Sequence, residues 1–337
     1  MNQHSPGELS SGSPDSTTVS NYSPDGMTKA ESKRRARNRW LSQLKRNKWL
    51  YVLLAPGLLY FLIFKYAPMW GVVIAFQDYQ PFLGIRNSEW VGFDNFTTFF
   101  QNPDFFRLLR NTLILALYDL IFFFPAPILV ALLLNEISRS WFKRTIQTLV
   151  YVPHFVSMVI IASITYVFLT PDGGALYELI AQITGKPVDV LSNPDSFRPL
   201  IIIQMLWKEV GWGTIIFLAA LAGVDMEQYE AAIVDGAGRM RRIWHITLPA
   251  VRSTIIILLI LRLGNFMDTG FEQIYLMTNP LNRDVADVFD TYVYQVGITQ
   301  GAFSYSTAVG LFKSLVGIVL ILGANKLAKK FGHSGIY

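Results

Sequence analysis

Asp225-Met226-Glu227-Gln228-Tyr229-Glu230-Ala231-Ala232-Ile233-Val234-Asp235-Gly236-Ala237-Gly238-Arg239-Met240-Arg241-Arg242-Ile243-Trp244-His245-Ile246-Thr247-Leu248-Pro249 is a polar island between two long apolar runs. Asp225 is placed to cap a short helix, and Glu227 and Glu230 put negative charge in its first turns, where the helix dipole favours it. Ala231 and Ala232 give that helix a small, smooth face. Gly236 and Gly238 end it or let another backbone come close. Arg239, Arg241 and Arg242 then open a second amphipathic element with Ile243, Trp244 and Ile246. Pro249 can begin the next long helix, where its missing N–H is not needed. The pattern predicts helix, glycine turn, helix: a rigid knob between membrane-length segments.

Six such apolar segments flank the knob, at about 49–66, 109–134, 146–169, 198–221, 250–273 and 304–327, each able to cross a hydrocarbon core about 30 Å thick. Of the 337 residues, 52% are hydrophobic and only 16% charged, below the roughly 25% charged of soluble domains. The expected fold is therefore all-α, a polytopic membrane protein. The formal net charge of +5 first suggests nucleic acid, but the basic residues sit at the N-terminus and in short loops between spans, and no nucleic-acid partner is expected. Arg139, Lys143 and Arg144, then Arg239, Arg241 and Arg242, then Lys326, Lys329 and Lys330 fall on one side. The longer loops opposite hold few basic residues, such as Lys186 and Arg283. Basic residues stay inside, so both termini and the knob are expected in the cytoplasm.

The chain divides into a disordered basic cytoplasmic tail over 1–48 and a transmembrane domain over 49–330. Residues 1–28, rich in Ser, Pro, Gly, Asn and Asp, lack an apolar period. Lys29 to Lys48 form a topogenic anchor. The first span starts too late, and Lys65 and Tyr66 fit a cleavage site too poorly, for a secretory signal. There is no cysteine and there are only four histidines, so neither a disulfide framework nor a metal site is expected. The aromatic stretch Trp90 to Phe106 suits either the headgroup level or packing on the helix tops.

Glu230-Ala231-Ala232, three residues, Gly236, nine residues, then Ile246-Thr247-Leu248-Pro249 resembles the Glu-Ala-Ala loop of the membrane subunits of bacterial ABC importers. Val91-Gly92-Phe93-Asp94-Asn95-Phe96, Pro103-Asp104-Phe105-Phe106 and Asn111-Thr112 look like the same family's approach to its second span. The resemblance covers about 50–325. It is most similar to the maltose-type, binding-protein-dependent sugar importers, particularly the LplB-like permeases for oligosaccharides and polysaccharide fragments. One departure stands out: Thr278-Asn279-Pro280 replaces the Thr-x-Gly-Gly-Pro of many sugar permeases.

The resemblance implies a type I ABC importer transmembrane domain in the bacterial plasma membrane. The knob becomes a coupling helix, with Glu230, Ala231, Ala232, Asp235, Gly236, Arg239, Leu248 and Pro249 serving ATPase docking. The implied partners are a second, related permease chain, two ATPase subunits and an extracellular solute-binding protein. ATP and Mg would bind the ATPase, with no cofactor and no catalytic residue on this chain. Consistent with that, no phosphate-cradling Gly-rich loop is present.

Ionisable residues at bilayer depth are candidates for function. Asp119, Lys208, Glu209 and Arg262 each lie roughly 15–18 Å into their spans at ~1.5 Å per residue, close to one level. They either pair and pin helices together or line a polar cavity. Trp207 and Trp212 bracket Lys208 and Glu209, Tyr118 neighbours Asp119, and Asn265, Phe266, Asp268 and Thr269 repeat the mixture in the fifth span. In the family these two stretches line the sugar cavity, so Trp207, Lys208, Glu209, Trp212, Phe266, Asp268, Thr269, Tyr118 and Asp119 are the expected substrate residues. Charges of both signs leave an acidic glycan open. His154, beside the helix-kinking Pro153, reads as a helix-end hydrogen-bonding residue rather than a proton relay. An ion-coupled secondary transporter would show internal repeats and leave the knob unexplained. A membrane-embedded enzyme would need a catalytic motif that does not stand out.

Overall fold

The computed structural model describes residues 46–330, with Arg34, Ser42 and Gln43. The expected disordered tail, and most of its basic anchor, lie outside the described residues. The chain divides into two units, Met1–Trp70 and Gly71–Tyr337. Helix α1 (Lys48–Phe76) runs past the expected end near residue 66. A π turn over Leu62–Tyr66 leads into Ala67–Met69, where Pro68 takes an initial helical position and needs no intrahelical donor.

In the second unit a small antiparallel pair, β1 (Gln77–Asp78) and β2 (Glu89–Trp90), precedes α2 (Asp94–Gln101). The longer elements that follow are α3 (Phe105–Asn135), α4 (Ser140–Phe155), α5 (Met158–Leu169), α6 (Ala175–Thr184), α7 (Pro194–Ala222), α8 (Met226–Val234), α9 (Arg239–Gly264), α10 (Phe271–Met277), α11 (Phe289–Val293) and α12 (Phe303–Lys330), with single turns over Gly84–Asn87 and Arg283–Ala286 besides. Among the described residues five helices, α1, α3, α7, α9 and α12, are long and apolar enough to cross a membrane, and α4 with α5 makes a sixth if the bent pair is one span.

Two spans differ from their expected course. The third, read as one helix over 146–169, is broken by a 99° bend between α4 and α5. Pro153 sits in a tight turn over Val152–Phe155, Val156 is extended, and the Ser157 side chain accepts from Ile160 N at 3.4 Å to start α5. Proline and a fresh N-cap together favour a new helix over a continued one. The fifth, read as 250–273, begins at Arg239 and ends at Gly264. Asn265 to Gly270 unwind, with Gly270 at φ +82°, a conformation side chains with a Cβ rarely adopt. Pro249 accordingly lies inside a long helix, just after a π turn over Ile243–Thr247. In α3 a π turn over Asp119–Phe123 likewise precedes Pro125 and Pro127, with Phe124 N donating to Asp119 O at 2.9 Å.

Packing fixes the outer end of the unit. Phe99 is fully buried, edge-on to Phe105 at 5.0 Å and beside Phe289 and Phe312. Trp90, Phe93 and Phe106 stay exposed, so only part of the aromatic stretch packs on the helix tops. Asn102 Nδ2 donates to the hydroxyls of Tyr292 and Tyr305. Burial, then the Tyr305 hydrogen bond, pushes the Tyr292 phenol above its ordinary pKa and keeps it neutral. Fully buried Asn111 donates to Asp284 O at 2.8 Å and Asp287 O at 3.0 Å, and accepts from Arg198 Nη2 at 3.0 Å. A buried amide in apolar surroundings must be satisfied in this way, and here it ties the outer loop to α3 and α7.

Candidate functional site

A cavity of about 590 Å³ opens between α3, α7, the end of α9 and the unwound 265–270 segment. One face of α7 carries Met205, Lys208, Glu209 and Trp212 into it, and one face of α3 carries Leu115, Ala116, Asp119 and Phe123. These spacings of three and four residues follow the 3.6-residue turn. Arg262 enters from the last turn of α9. Phe266, Asp268 and Thr269 reach it from unwound chain rather than from a helix.

The wall is held by charge. Arg262 Nε donates to Asp119 Oδ2 at 2.5 Å, Nη2 donates to Oδ1, and the guanidinium lies 5.1 Å from the Phe123 ring. Lys208 Nζ lies 3.1 Å from Glu209 Oε1 and donates to His154 O at 2.8 Å. His154 Nδ1 lies 2.8 Å from Glu209 Oε2, and its ring stacks on Trp212 at 4.4 Å and 6°. The elbow of the broken third span is thereby fastened to the middle of α7, and His154 bonds where its helix ends. On the outer side Lys313 of α12 bridges Asp268, at 2.8 Å, and Asp290. Gln273 Nε2 donates to Ile201 O at 2.8 Å and to Gln204 Oε1 at 3.0 Å, joining α10 to α7.

The structure brings Asp119, Lys208, Glu209, Trp212, Phe266, Asp268 and Thr269 to one cavity. Tyr118 and Trp207, among the expected residues, are not in its wall. Each is one residue away from a lining position, and one residue is a 100° turn of the helix. Arg262, Asn265, Phe271, Glu272 and Gln273 join the wall without having been among the expected substrate residues. The helical period through Asp119 and Glu209 was the available signal for the helical part; nothing local in the sequence places Phe271 or Gln273.

The knob has the expected shape. Asp225 caps α8, accepting from Glu227 N at 3.0 Å. At the other end Gly236 N donates to Ile233 O at 3.0 Å and Ala237 N to Ala232 O at 2.8 Å, a Schellman closure. Gly236 has φ +73°, and a Cβ there would meet nothing within 4 Å. Of the two roles the sequence offers Gly236, ending the helix holds through its backbone conformation, and close approach does not. The Tyr229 hydroxyl meets Thr247 Oγ1 at 2.9 Å, tying the knob to α9. Glu230, Ala231, Asp235, Gly236, Arg239 and Pro249 are exposed, while Ala232 and Leu248 are half-buried. Val234, Met240 and Trp244 add exposed apolar surface.

Residues 123–333 match the family described as binding-protein-dependent transport system inner membrane component. The chain belongs to that family. It is a permease subunit of an ABC importer, with the type I fold. The permease is similar to Protein LplB of Bacillus subtilis (strain 168), 68% identical over 298 residues, covering 88% of this chain and 94% of that protein. It is 56% identical to the polygalacturonan/rhamnogalacturonan transport system permease protein YteP of the same organism, over 90% of this chain and 95% of that protein. A chain in the crystal structure of a bacterial alginate ABC transporter, in complex with an alginate pentasaccharide-bound periplasmic protein, superposes on the permease with TM-score 0.81 at 39% identity. It covers 88% of this chain and 100% of that one.

Proposed function

We propose that this permease carries an oligosaccharide across the bacterial plasma membrane, powered by ATP hydrolysed on separate subunits. The cavity carries the reading. Its 590 Å³ falls in the range of small-molecule sites, and it joins an aromatic face, Trp212, to a ring of hydrogen-bonding groups. Sugars need that combination, since one ring face is C–H and the edge is hydroxyl. The names of YteP and of the alginate transporter, which concern polysaccharides, support it. The substrate residues are Asp119, Lys208, Glu209, Trp212, Phe266, Asp268 and Thr269.

The remaining components are a second permease chain, two ATPases holding ATP and Mg, and an extracellular binding protein. The exposed knob, with Glu230, Ala231, Ala232, Asp235, Gly236, Arg239, Leu248 and Pro249, docks on the ATPase. α9 runs unbroken from Arg239 in the knob to Arg262 in the cavity wall, about 35 Å at ~1.5 Å per residue. A push on the knob therefore has a continuous helical path, through the π turn at Ile243–Thr247, to the Arg262–Asp119 pair. This chain supplies the passage and the lever, and no cofactor of its own.

Both cations of the wall already face carboxylates, Arg262 with Asp119 and Lys208 with Glu209. A uronate would have to displace one of them or meet cations of the second permease. Vesicles holding both permeases and the ATPase, with binding protein outside and ATP inside, test the reading. Accumulation of labelled oligosaccharide only with ATP is expected. Transport by this chain alone without ATP overturns it. Competition between neutral and uronate-bearing chains fixes the charge class.

A further inference from the structure

A second hollow, about 660 Å³, lies beyond the main cavity, between α10 and α11 and the turn that follows α11. Its rim includes Thr278, Asn279 and Pro280, the stretch where the sequence departs from the sugar-permease pattern. Two of three clustered rings line it, and the third links it to the main cavity. Phe271 lies in the main cavity's wall, stacks on Tyr275 at 5.4 Å and meets Tyr294 at 5.0 Å. Tyr275 and Tyr294, 5.2 Å apart, both line the second hollow.

These rings are not core. Tyr275 is 51% exposed, and neither tyrosine hydroxyl has a hydrogen-bond partner among the described residues. A half-exposed aromatic array with free hydroxyls matches the amphipathic character of a sugar ring. The polar wall is already fixed. Arg283 Nε donates to Asp287 Oδ2 at 2.9 Å, and its Nη2 donates to Gln295 Oε1. Asn279 Nδ2 donates to Leu191 O at 2.9 Å, and buried Asn282 holds Leu191 O and Met277 O. A rim tied down this way spends little ordering free energy when a ligand arrives.

We infer that this hollow is a second saccharide subsite, which takes the units of a longer oligosaccharide that extend out of the main cavity across Phe271. The inference rests on the sugar reading of the main cavity and adds chain-length selection to it. Tyr275 and Tyr294 stack on the trailing units, and Arg283 and Gln295 face their hydroxyls or carboxylates.

The test is a Tyr275→Ala/Tyr294→Ala variant of the complete transporter, beside Tyr275→Phe/Tyr294→Phe. Both receive pooled, labelled ladders of galacturono-, xylo- and gluco-oligosaccharides from two to six units, and mass spectrometry reads what accumulates. For the ladder that wild type imports, the alanine pair should raise KM for the longest chains about tenfold and leave the disaccharide within about twofold. The phenylalanine pair, which keeps the ring faces, should retain most of the long-chain preference. An equal loss at every length, with weaker stimulation of ATP hydrolysis by sugar-free binding protein, marks a docking surface and overturns the inference. So does an unchanged length profile. Import of no ladder by wild type instead removes the sugar reading, and the subsite with it.

Discussion

Arg262 grips Asp119 along one edge, Nε to Oδ2 and Nη2 to Oδ1, so a single guanidinium occupies both carboxylate oxygens. That geometry is the strong form of an ion pair, and it joins α9 to the π turn of α3. Removing one partner leaves the other charge in a partly dry wall. Arg262 remains 39% exposed to the cavity, which moderates the penalty. Asp119→Asn should lower stability by about 1–3 kcal/mol, read as a fall in melting temperature in detergent. Asp119→Asn with Arg262→Gln should recover at least half of that loss. A single variant that melts like wild type would remove the pair from the account.

Gly236 closes α8 in the left-handed region, at φ +73°. Valine there pays backbone strain of about 1–2 kcal/mol without meeting any neighbour. Gly236→Val should insert normally, co-purify less with the ATPase and transport more slowly, while Gly236→Asn, which tolerates that region, should do less harm. Unchanged co-purification and transport in the valine variant would count against the coupling role.

Gly211 lets α7 lie directly against α4, because a Cβ there would stand 2.0 Å from Val150 O. Gly211→Ala should therefore destabilise by about 1–3 kcal/mol through forced backbone shifts. Gly310→Ala, where a Cβ meets nothing within 4 Å, serves as the control and should melt within a degree or two of wild type. Equal behaviour of the two would refute close packing at this crossing.

Trp212 and Trp207 separate a cavity residue from a mere neighbour. Trp212 lines the cavity with one face stacked on His154, whereas Trp207 is outside the wall and half exposed. Trp212→Ala should raise the KM for sugar about tenfold, and Trp207→Ala should leave it within about twofold. The reverse ranking in an uptake assay would displace the proposed substrate wall.

Most of the architecture was legible because apolar length is a strong signal: the runs containing Asp119, Glu209 and Arg262 were each found as spans. The knob was equally legible, since caps and glycine turns are local. What local signals could not show was tertiary. Pro153 announced a kink, but the 99° bend depends on Ser157 starting a new helix and on His154 reaching Glu209. The fifth span reads as continuing to residue 273, although Asn265, Asp268, Thr269, Gly270, Glu272 and Gln273 already make that stretch too polar to prolong an apolar helix. Trp207 and Tyr118 were chosen as neighbours of charged residues, although adjacent residues on a helix face different ways. The links from Gln273 to Ile201 and from Lys313 to Asp268 join residues far apart in sequence, beyond the reach of any pattern.

The elbow between α4 and α5 also bears on parity. Counted as one crossing, it makes four traverses before α8 and six in all among the described residues. Were it to dip into the bilayer and return, the count would be odd, and α8 would emerge on the face where no ATP is found. The bonds from His154 to Glu209 and from Lys208 to His154 O hold that joint against α7.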